Sequence, residues 1–346
     1  MNFLHRDINF CWFDSSPFPD YASQAILQWA QDVTKPACFI GTAVHEDFGA
    51  STKLVHLVES LQGAGIETVL IFDTVCAADP FYVKLAEKTR CIFINGFLYL
   101  TWREIFDTQR NSVNQTWNPQ APKWLFLTGK ANKPNRLRLL YKFDQAGLLD
   151  NCIWSLLIDE PGSVDSSLLP ELEDAGSWAW TKRRSPDDAD PCWINHCPVM
   201  SGFPYDSNMY TQSKFRVIAE TNFNTPHRSW FTEKTWLTMF NRLPFIFAGS
   251  PLMLDQLRCM GFRTFEEYLP CSDYDEIMDQ EQRLDAIVTN TKFWIENSCD
   301  IEKLWMDIEH NYTRALSLAQ QHQTVLDELV QHYNLQLNSH ELISEL

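Results

Sequence analysis

Short apolar runs alternate with longer stretches of helical period along the first third of the chain. "ACFIGTAV" (37–44) has strand length, and "ASTKLVHLVESLQGAG" (50–65) follows it with Leu54, Leu57, Val58 and Leu61 spaced three and four apart. That spacing predicts a helix apolar on one side, with Gly63 and Gly65 placed to end it. "IETVLIFD" (66–73) predicts a second strand, "PFYVKLAEKT" (80–89) a helix and "RCIFINGF" (90–97) a third strand. Residues 107–122, "DTQRNSVNQTWNPQAP", are polar, hold two prolines and show no period, so they mark a linker. The pattern then restarts with strand "KWLFLTG" (123–129), basic turn "KANKPNR" (130–136), helix "LRLLYKFDQAG" (137–147) and strand "NCIWSLLI" (151–158).

From about 160 to 212 the chain is irregular, rich in Pro, Asp and Ser, and includes the charge run "TKRRSPDDAD". A connection of that length is functional or mobile more often than not. Order returns with strand "KFRVIAETNF" (214–223), helix "TEKTWLTMFN" (232–241), strand "LPFIFAG" (243–249) and helix "SPLMLDQLRCMG" (250–261). Ser250 is placed to cap that last helix, Pro251 to sit in its first turn and Gly261 to end it. The remainder, "EQRLDAIVTNTKFWIENS" and "IEKLWMDIEHNYTRALSLAQQHQTVLDELVQHY", has helical period throughout. Strand and helix in alternation predict the α/β class with mostly parallel sheets covered on both faces. The expected organisation is an N-terminal α/β domain over 1–118, a second over 119–300, and C-terminal helices over 301–346 that pack back on the first.

Composition narrows the functions. A chain of 346 residues with 45% hydrophobic content suits two domains with full cores. Its formal net charge of -17 opposes nonspecific binding to nucleic acid or anionic membrane, although a local basic patch overrides a total. The ten cysteines are scattered, several inside apolar strands, as reduced thiols used as small hydrophobes are. "CWINHC" (192–197) has no second pair at zinc-finger spacing. The N-terminus, with Arg6 and Asp7, lacks the pattern of a signal peptide, and no uncharged apolar run approaches membrane-spanning length. A cytoplasmic location is the expectation. There is no G-x-G-x-x-G, no phosphate-binding lysine loop and no G-x-S-x-G.

Chemistry concentrates in "IAETNFNTPHRSWFTEKTWLTMFNRLPFIFAGSP" (218–251), where Glu220, Asn222, Arg228, Thr232, Glu233 and Lys234 lie between two apolar strands. Ligands of open parallel sheets bind beyond the carboxyl ends of strands. A carboxylate at Glu220 suits a ribose diol. The N-terminus of the helix near Thr232 favours a phosphate, and Lys234, unfavourable against the helix dipole alone, suits an anion held between them. Each residue also has a plainer reading: Thr232 as an N-cap, Glu233 as a first-turn acid, Lys234 as a solvated cation.

An acid ending a strand, then a loop, then "TEK" and an aromatic, a short helix and "PFIFAGSP" resemble the donor-binding half of the fucosyltransferase-like glycosyltransferases. Similar segments occur in uncharacterised proteins of phages and marine microbes. The resemblance covers about 120–270. It implies a GT-B fold of two Rossmann-like domains facing a cleft, a nucleotide-sugar donor held by the second domain, and no cofactor or required metal. It places the ribose on Glu220 and a donor contact on Lys234. In "WLFLTGKANKPNRLRLLYKFDQAGLLD" (124–150) it makes Lys130, Asn132, Arg136 and Arg138 the candidates for the pyrophosphate contact. Arg138 and Lys142 equally suit a solvated helix face.

Inverting sugar transfer needs a base for the acceptor hydroxyl, expected on the N-terminal domain. "TAVHEDFGAS" offers His45, Glu46 and Asp47, with Glu46 or Asp47 preferred; Asp73 ends the next strand. The Asp-x-Asp spacings at Asp188–Asp190 and Asp273–Asp275 are common by chance, and "SDYDEIMD" suits a capped helix start better than a metal. The expected acceptor is a glycan or a hydroxylated base of phage DNA. The alternative is a non-catalytic binding or virion-associated protein built on a nucleotide fold.

Overall fold

A computed structural model describes residues 3–6, 10–14, 20–33, 38–43, 52–73, 80–107, 117–128, 133–156, 207–224, 231–297 and 300–332. The chain divides into two compact units, Met1–Leu100 with Leu318–Leu346, and Thr101–Ser317. Each is an α/β assembly built on a mainly or wholly parallel sheet.

The first unit holds β1 (Phe3–Arg6), β2 (Phe10–Asp14), α1 (Asp20–Asp32), β3 (Cys38–Ala43), α2 (Thr52–Gly63), β4 (Glu67–Asp73), α3 (Pro80–Ala86) and β5 (Arg90–Ile94). It also holds the start of α4 (Gly96–Asp107). Its strands lie in the order β1-β2-β3-β4-β5, with β1 antiparallel to β2 and the other pairs parallel. The hairpin of β1 and β2 has no counterpart in the sequence reading, which begins its strands at 37. The stripe on α2 works as its spacing requires: Leu54, Leu57, Val58 and Leu61 are all buried, against Ile26 and Trp29 of α1, Phe39, Leu70 and Phe72 of the sheet and Tyr82 of α3. Phe72 and Tyr82 meet edge to face, centroids 4.7 Å apart. Val69 and Ile71 alternate with these core residues along β4 and are also fully buried, so both faces of the strand are covered.

"NGFLYLTWREIFD" continues as α4. Asn95 Oδ1 accepts from Leu98 N at 2.8 Å, which makes Asn95 an N-cap. Sequence reading takes Asn95–Phe97 as the strand's end; the cap and the spacing of Leu98, Tyr99 and Ile105 carry the helical signal.

The second unit holds β6 (Lys123–Thr128), α5 (Pro134–Gln145), β7 (Cys152–Leu156), α6 (Ser207–Thr211), β8 (Ser213–Ala219), α7 (Glu233–Phe240), β9 (Phe245–Ala248), α8 (Met253–Cys259) and α9 (Gln280–Glu296). The final helix, α10 (Ile301–His332), gives its residues to Ser317 to this unit and those from Leu318 to the first. All strands are parallel, in the order β7-β6-β8-β9. Trp124, Phe126, Phe143, Phe215 and Trp294 interlock in the core; Trp124 and Phe215 stack at 5.8 Å and Phe215 meets Trp294 edge-on at 5.1 Å. Gly249 follows β9 because the Phe247 ring folds over it: a Cβ there would lie 2.3 Å from Phe247 Cε1.

Two local expectations change. α5 begins at Pro134, so Pro134, Asn135 and Arg136 form its first turn and not the preceding loop; proline is tolerated there because that N–H has no helical partner. α8 begins at Met253, not at Ser250–Pro251. Its capping acceptor is remote: Asp275 Oδ2 takes the Leu254 N–H at 2.9 Å, while Leu252 adopts a left-handed conformation. Asp275 lies in a turn of 3-10 helix, Tyr274–Glu276, not at the start of a longer helix.

Candidate functional site

Strand order fixes where a ligand site belongs in the second unit. From β6 the chain passes through α5 to β7 on one side, and it later returns to β8 on the other side of β6. The direction of winding therefore reverses between β6 and β8. Crevices of open parallel sheets lie at such reversals, beyond the carboxyl ends of the strands. Two helices start from those ends, α5 after β6 and α7 after β8.

Glu220 follows β8 directly and has no exposed surface. Its Oε1 accepts from Thr232 N at 3.0 Å and Thr235 Oγ1 at 2.6 Å, and its Oε2 from Thr232 Oγ1 at 2.6 Å. The carboxylate thus anchors the cap residue of α7 to β8: Thr232 occupies the cap position but directs its hydroxyl at Glu220 instead of at a helix N–H. A ribose diol would reach Glu220 only where the hydroxyls of Thr232 and Thr235 turn away. Arg216, nearly fully buried on β8, secures the same helix from beneath, with Nη1 donating to Lys234 O, Thr238 Oγ1 and Tyr210 Oη at 3.0–3.1 Å. This answers much of why the apolar segment holds so many polar groups. They dock α7 on β8, and buried polar groups persist only with partners.

Lys234 is 4% exposed, and its Nζ donates to Glu233 Oε1 at 2.7 Å and Thr232 Oγ1 at 3.0 Å. The N–H groups of Glu233 and Lys234 open α7 and have no helical acceptor before them.

Arg136, in the first turn of α5, is 3% exposed. Among the described residues its guanidinium has one bonded partner, the Thr221 hydroxyl, 3.2 Å from Nη2, and its buried Nε has none. Burial pushes its pKa down, against the opposing pull of Glu220 and Glu233. Asn135 Nδ2 donates to Glu220 O at 3.3 Å, which ties the start of α5 to the end of β8. The structure therefore brings Arg136, Glu220, Thr232, Glu233 and Lys234 together at the reversal of winding, with Asn222 half-buried on the segment leaving β8. The cluster has two cations and two carboxylates, next to two helix N-termini that each favour an anion. A buried guanidinium with spare donors is the group in it that lacks a counter-charge in contact.

Arg138 and Lys142 lie further along α5. Arg138 pairs with Glu281 at 2.6 Å and Lys142 with Asp285 at 2.6 Å, both from α9. They hold helix to helix. Glu46, Asp47, Lys130, Asn132 and Arg228 lie outside the described residues, as do His45, Asp188, Asp190 and the "CWINHC" group. Among the described residues no group of three or more His, Cys, Asp or Glu is arranged to hold a metal.

Sequence reading passed over four residues that support the cluster: Asn135, Arg216, Thr221 and Thr235. Arg216 had a visible signal, a cation within an otherwise apolar strand. The others are ordinary polar residues that only strand order brings together.

Neither a protein-family model nor a curated protein matches the chain. Among solved structures it is similar to a UDP-forming α,α-trehalose-phosphate synthase from Burkholderia xenovorans, at 9% identity and a TM-score of 0.41, over 92% of this chain and 80% of that one. A likeness of that degree says nothing of substrate or chemistry here. No helix among the described residues is long and apolar enough to cross a membrane.

Proposed function

We propose that the chain is a nucleotide-sugar-dependent glycosyltransferase of GT-B type, related to the fucosyltransferase-like enzymes, whose second unit holds the donor at the β6–β8 reversal. The observation that carries this reading is Arg136: a buried cation with donors unused among the described residues, set beside two helix N-termini where a parallel sheet reverses its winding. A buried guanidinium and two helix N-termini favour a diphosphate at that place.

In the proposed reaction an acceptor hydroxyl attacks the anomeric carbon. The bond from that carbon to the diphosphate oxygen breaks, and the hydroxyl proton passes to a base. Charge grows on the departing diphosphate, and Arg136 and Lys234 offset it, with Lys234 exchanging Glu233 for phosphate. Arg228, Lys130 and Asn132 are proposed as further donor contacts and Asn222 as a contact to the nucleoside. Glu220, Thr232 and Glu233 set the pose of α7, and Glu220 reaches the ribose where the two threonine hydroxyls yield. Glu46 or Asp47 is proposed as the base, on the first unit. The acceptor is a glycan or a hydroxylated base of phage DNA, and a cytoplasmic location belongs to the same reading.

The test is a thermal-shift series with UDP, GDP, ADP and CMP, followed by donor hydrolysis with Lys234→Ala as control. Stabilisation by one nucleotide, by several degrees at 100 times Kd, is the expected result. Failure of all four sinks the reading in favour of a non-catalytic binding or virion-associated protein. Salt-sensitive duplex binding would select DNA as acceptor over glycan.

A further inference from the structure

At the opposite end of the second unit's sheet lies a cavity of about 310 Å³. It opens where the chain enters the strands: Gln120 precedes β6, Lys214 is the second residue of β8, and Pro244 directly precedes β9. Six residue steps along β8 separate Lys214 from Glu220, on the order of 20 Å at about 3.3 Å each. The cavity is therefore distinct from the site at the carboxyl ends.

Its lining is mixed, with three aromatic residues inside and polar residues at the mouth. Trp117, Phe215 and Trp294 line it. Trp117 is held rigidly, stacked on Trp305 at 6.3 Å with planes 6° apart, its Nε1 donating to Lys214 O at 2.7 Å. Gln120, Glu296 and Asn297 stand exposed at the mouth. Asn297 Nδ2 is taken by Phe293 O at 3.0 Å, which leaves its oxygen for a ligand. Glu296 approaches Lys292 no closer than 3.9 Å, so its carboxylate is open to a donor. Lys214 Nζ donates to Ile295 O at 2.9 Å and adds a positive charge to the lining that Glu296 shares.

These groups define the ligand. The mouth presents acceptors from Glu296 and Asn297 and both kinds of group from the Gln120 amide, so the ligand must donate several hydrogen bonds. Lys214 and Glu296 bring one charge of each sign to the lining, so a neutral molecule suits it better than an ion of either sign. Trp117 and Trp294 keep 9% and 5% of their surface exposed, so they offer a small apolar contact that suits one weakly polar face. A nucleobase has the face but too few donors, and an organic cation would meet Lys214. A pyranose has all three properties: a C–H face, a rim of hydroxyls and no charge.

We propose that this cavity is a carbohydrate-binding site, separate from the nucleotide site and independent of the transferase reading. Isothermal titration and saturation-transfer NMR of the full chain with methyl glycosides and disaccharides of glucose, galactose, mannose, fucose and N-acetylglucosamine test it. The expected result is binding of at least one with Kd around the millimolar range. Saturating nucleoside diphosphate should leave that binding in place, and Gln120→Ala with Glu296→Ala should weaken it at least fivefold without changing the nucleotide thermal shift. Both substituted residues are exposed, so the double variant keeps its fold. Absence of binding across the panel, or binding that the double variant or the nucleotide leaves unweakened or displaces respectively, overturns the proposal.

Discussion

Arg136→Met separates an anion trap from a structural cation. The guanidinium is 3% exposed, touches one hydroxyl among the described residues, and has its pKa pushed down by burial despite Glu220 and Glu233. In the free protein its charge is therefore a net burden. Replacing a buried charge by an apolar side chain of similar length is often neutral or stabilising, here by ~0–1 kcal/mol. A bound diphosphate would lose a buried, charge-assisted pair, typically 2–5 kcal/mol, and removing ~2.7 kcal/mol weakens Kd about 100-fold. At a nucleotide concentration of 100 times the parent Kd, the parent gains about 2.7 kcal/mol, whereas a variant with Kd raised 100-fold gains only ~0.4 kcal/mol. For a unit of this size that is a thermal shift of ~5–10 °C in the parent and ~1 °C in the variant. The assay is differential scanning fluorimetry with and without the nucleotide that stabilises the parent. A variant that melts several degrees lower without ligand, yet keeps the full ligand shift, refutes the reasoning: Arg136 would then be a partner of Glu220 and Glu233, not a phosphate group's.

Other substitutions test the supporting architecture. Glu220→Gln places an amide N–H₂ where two hydroxyls and a backbone N–H donate, and it should destabilise by ~1–3 kcal/mol in urea denaturation; an unchanged midpoint would deny Glu220 its role on α7. Arg283, 1% exposed, lies over the Phe223 ring at 4.1 Å and donates to the carbonyls of Phe223 and Ile277, so Arg283→Met should cost about 2–4 kcal/mol by the same measurement. His322 accepts from Asn95 N at 3.1 Å, and burial lowers its pKa from 6.5 to about 4. Because the folded value is the lower one, its contribution is present above pH 6.5 and is lost as pH falls toward 4, by ~3 kcal/mol. Asp275 has the opposite slope: burial raises it from 3.8 to about 7, so its contribution is present below pH 3.8 and is lost as pH rises to 7. His322→Gln should therefore remove the acid-side loss in the first unit only, read as stability against pH at 4.5 and 7, and a profile identical to the parent's would contradict it.

Local pattern revealed the elements whose cause is local. The stripe on α2 and the buried β4 follow from residue spacing alone, and so does the α/β class. Strand order does not, because it rests on pairings between residues far apart in the chain. The reversal between β6 and β8, which locates the candidate site, was for that reason invisible. The same limit explains α8. Ser250–Pro251 has the local form of a helix start, yet the acceptor that fixes the helix is Asp275, 21 residues beyond Leu254. Glu220 was visible as an unusual acid, but whether its oxygens face a ligand or two threonines depends on how α7 docks. The basic turn read at 130–136 includes Arg136, which in the structure lies in the first turn of α5.

The most direct test is a crystal structure of the chain with the nucleoside diphosphate that stabilises it. The account predicts the diphosphate at the N-termini of α5 and α7, within hydrogen-bond distance of the Arg136 guanidinium. A nucleotide bound elsewhere, with Arg136 still touching only Thr221, would contradict it.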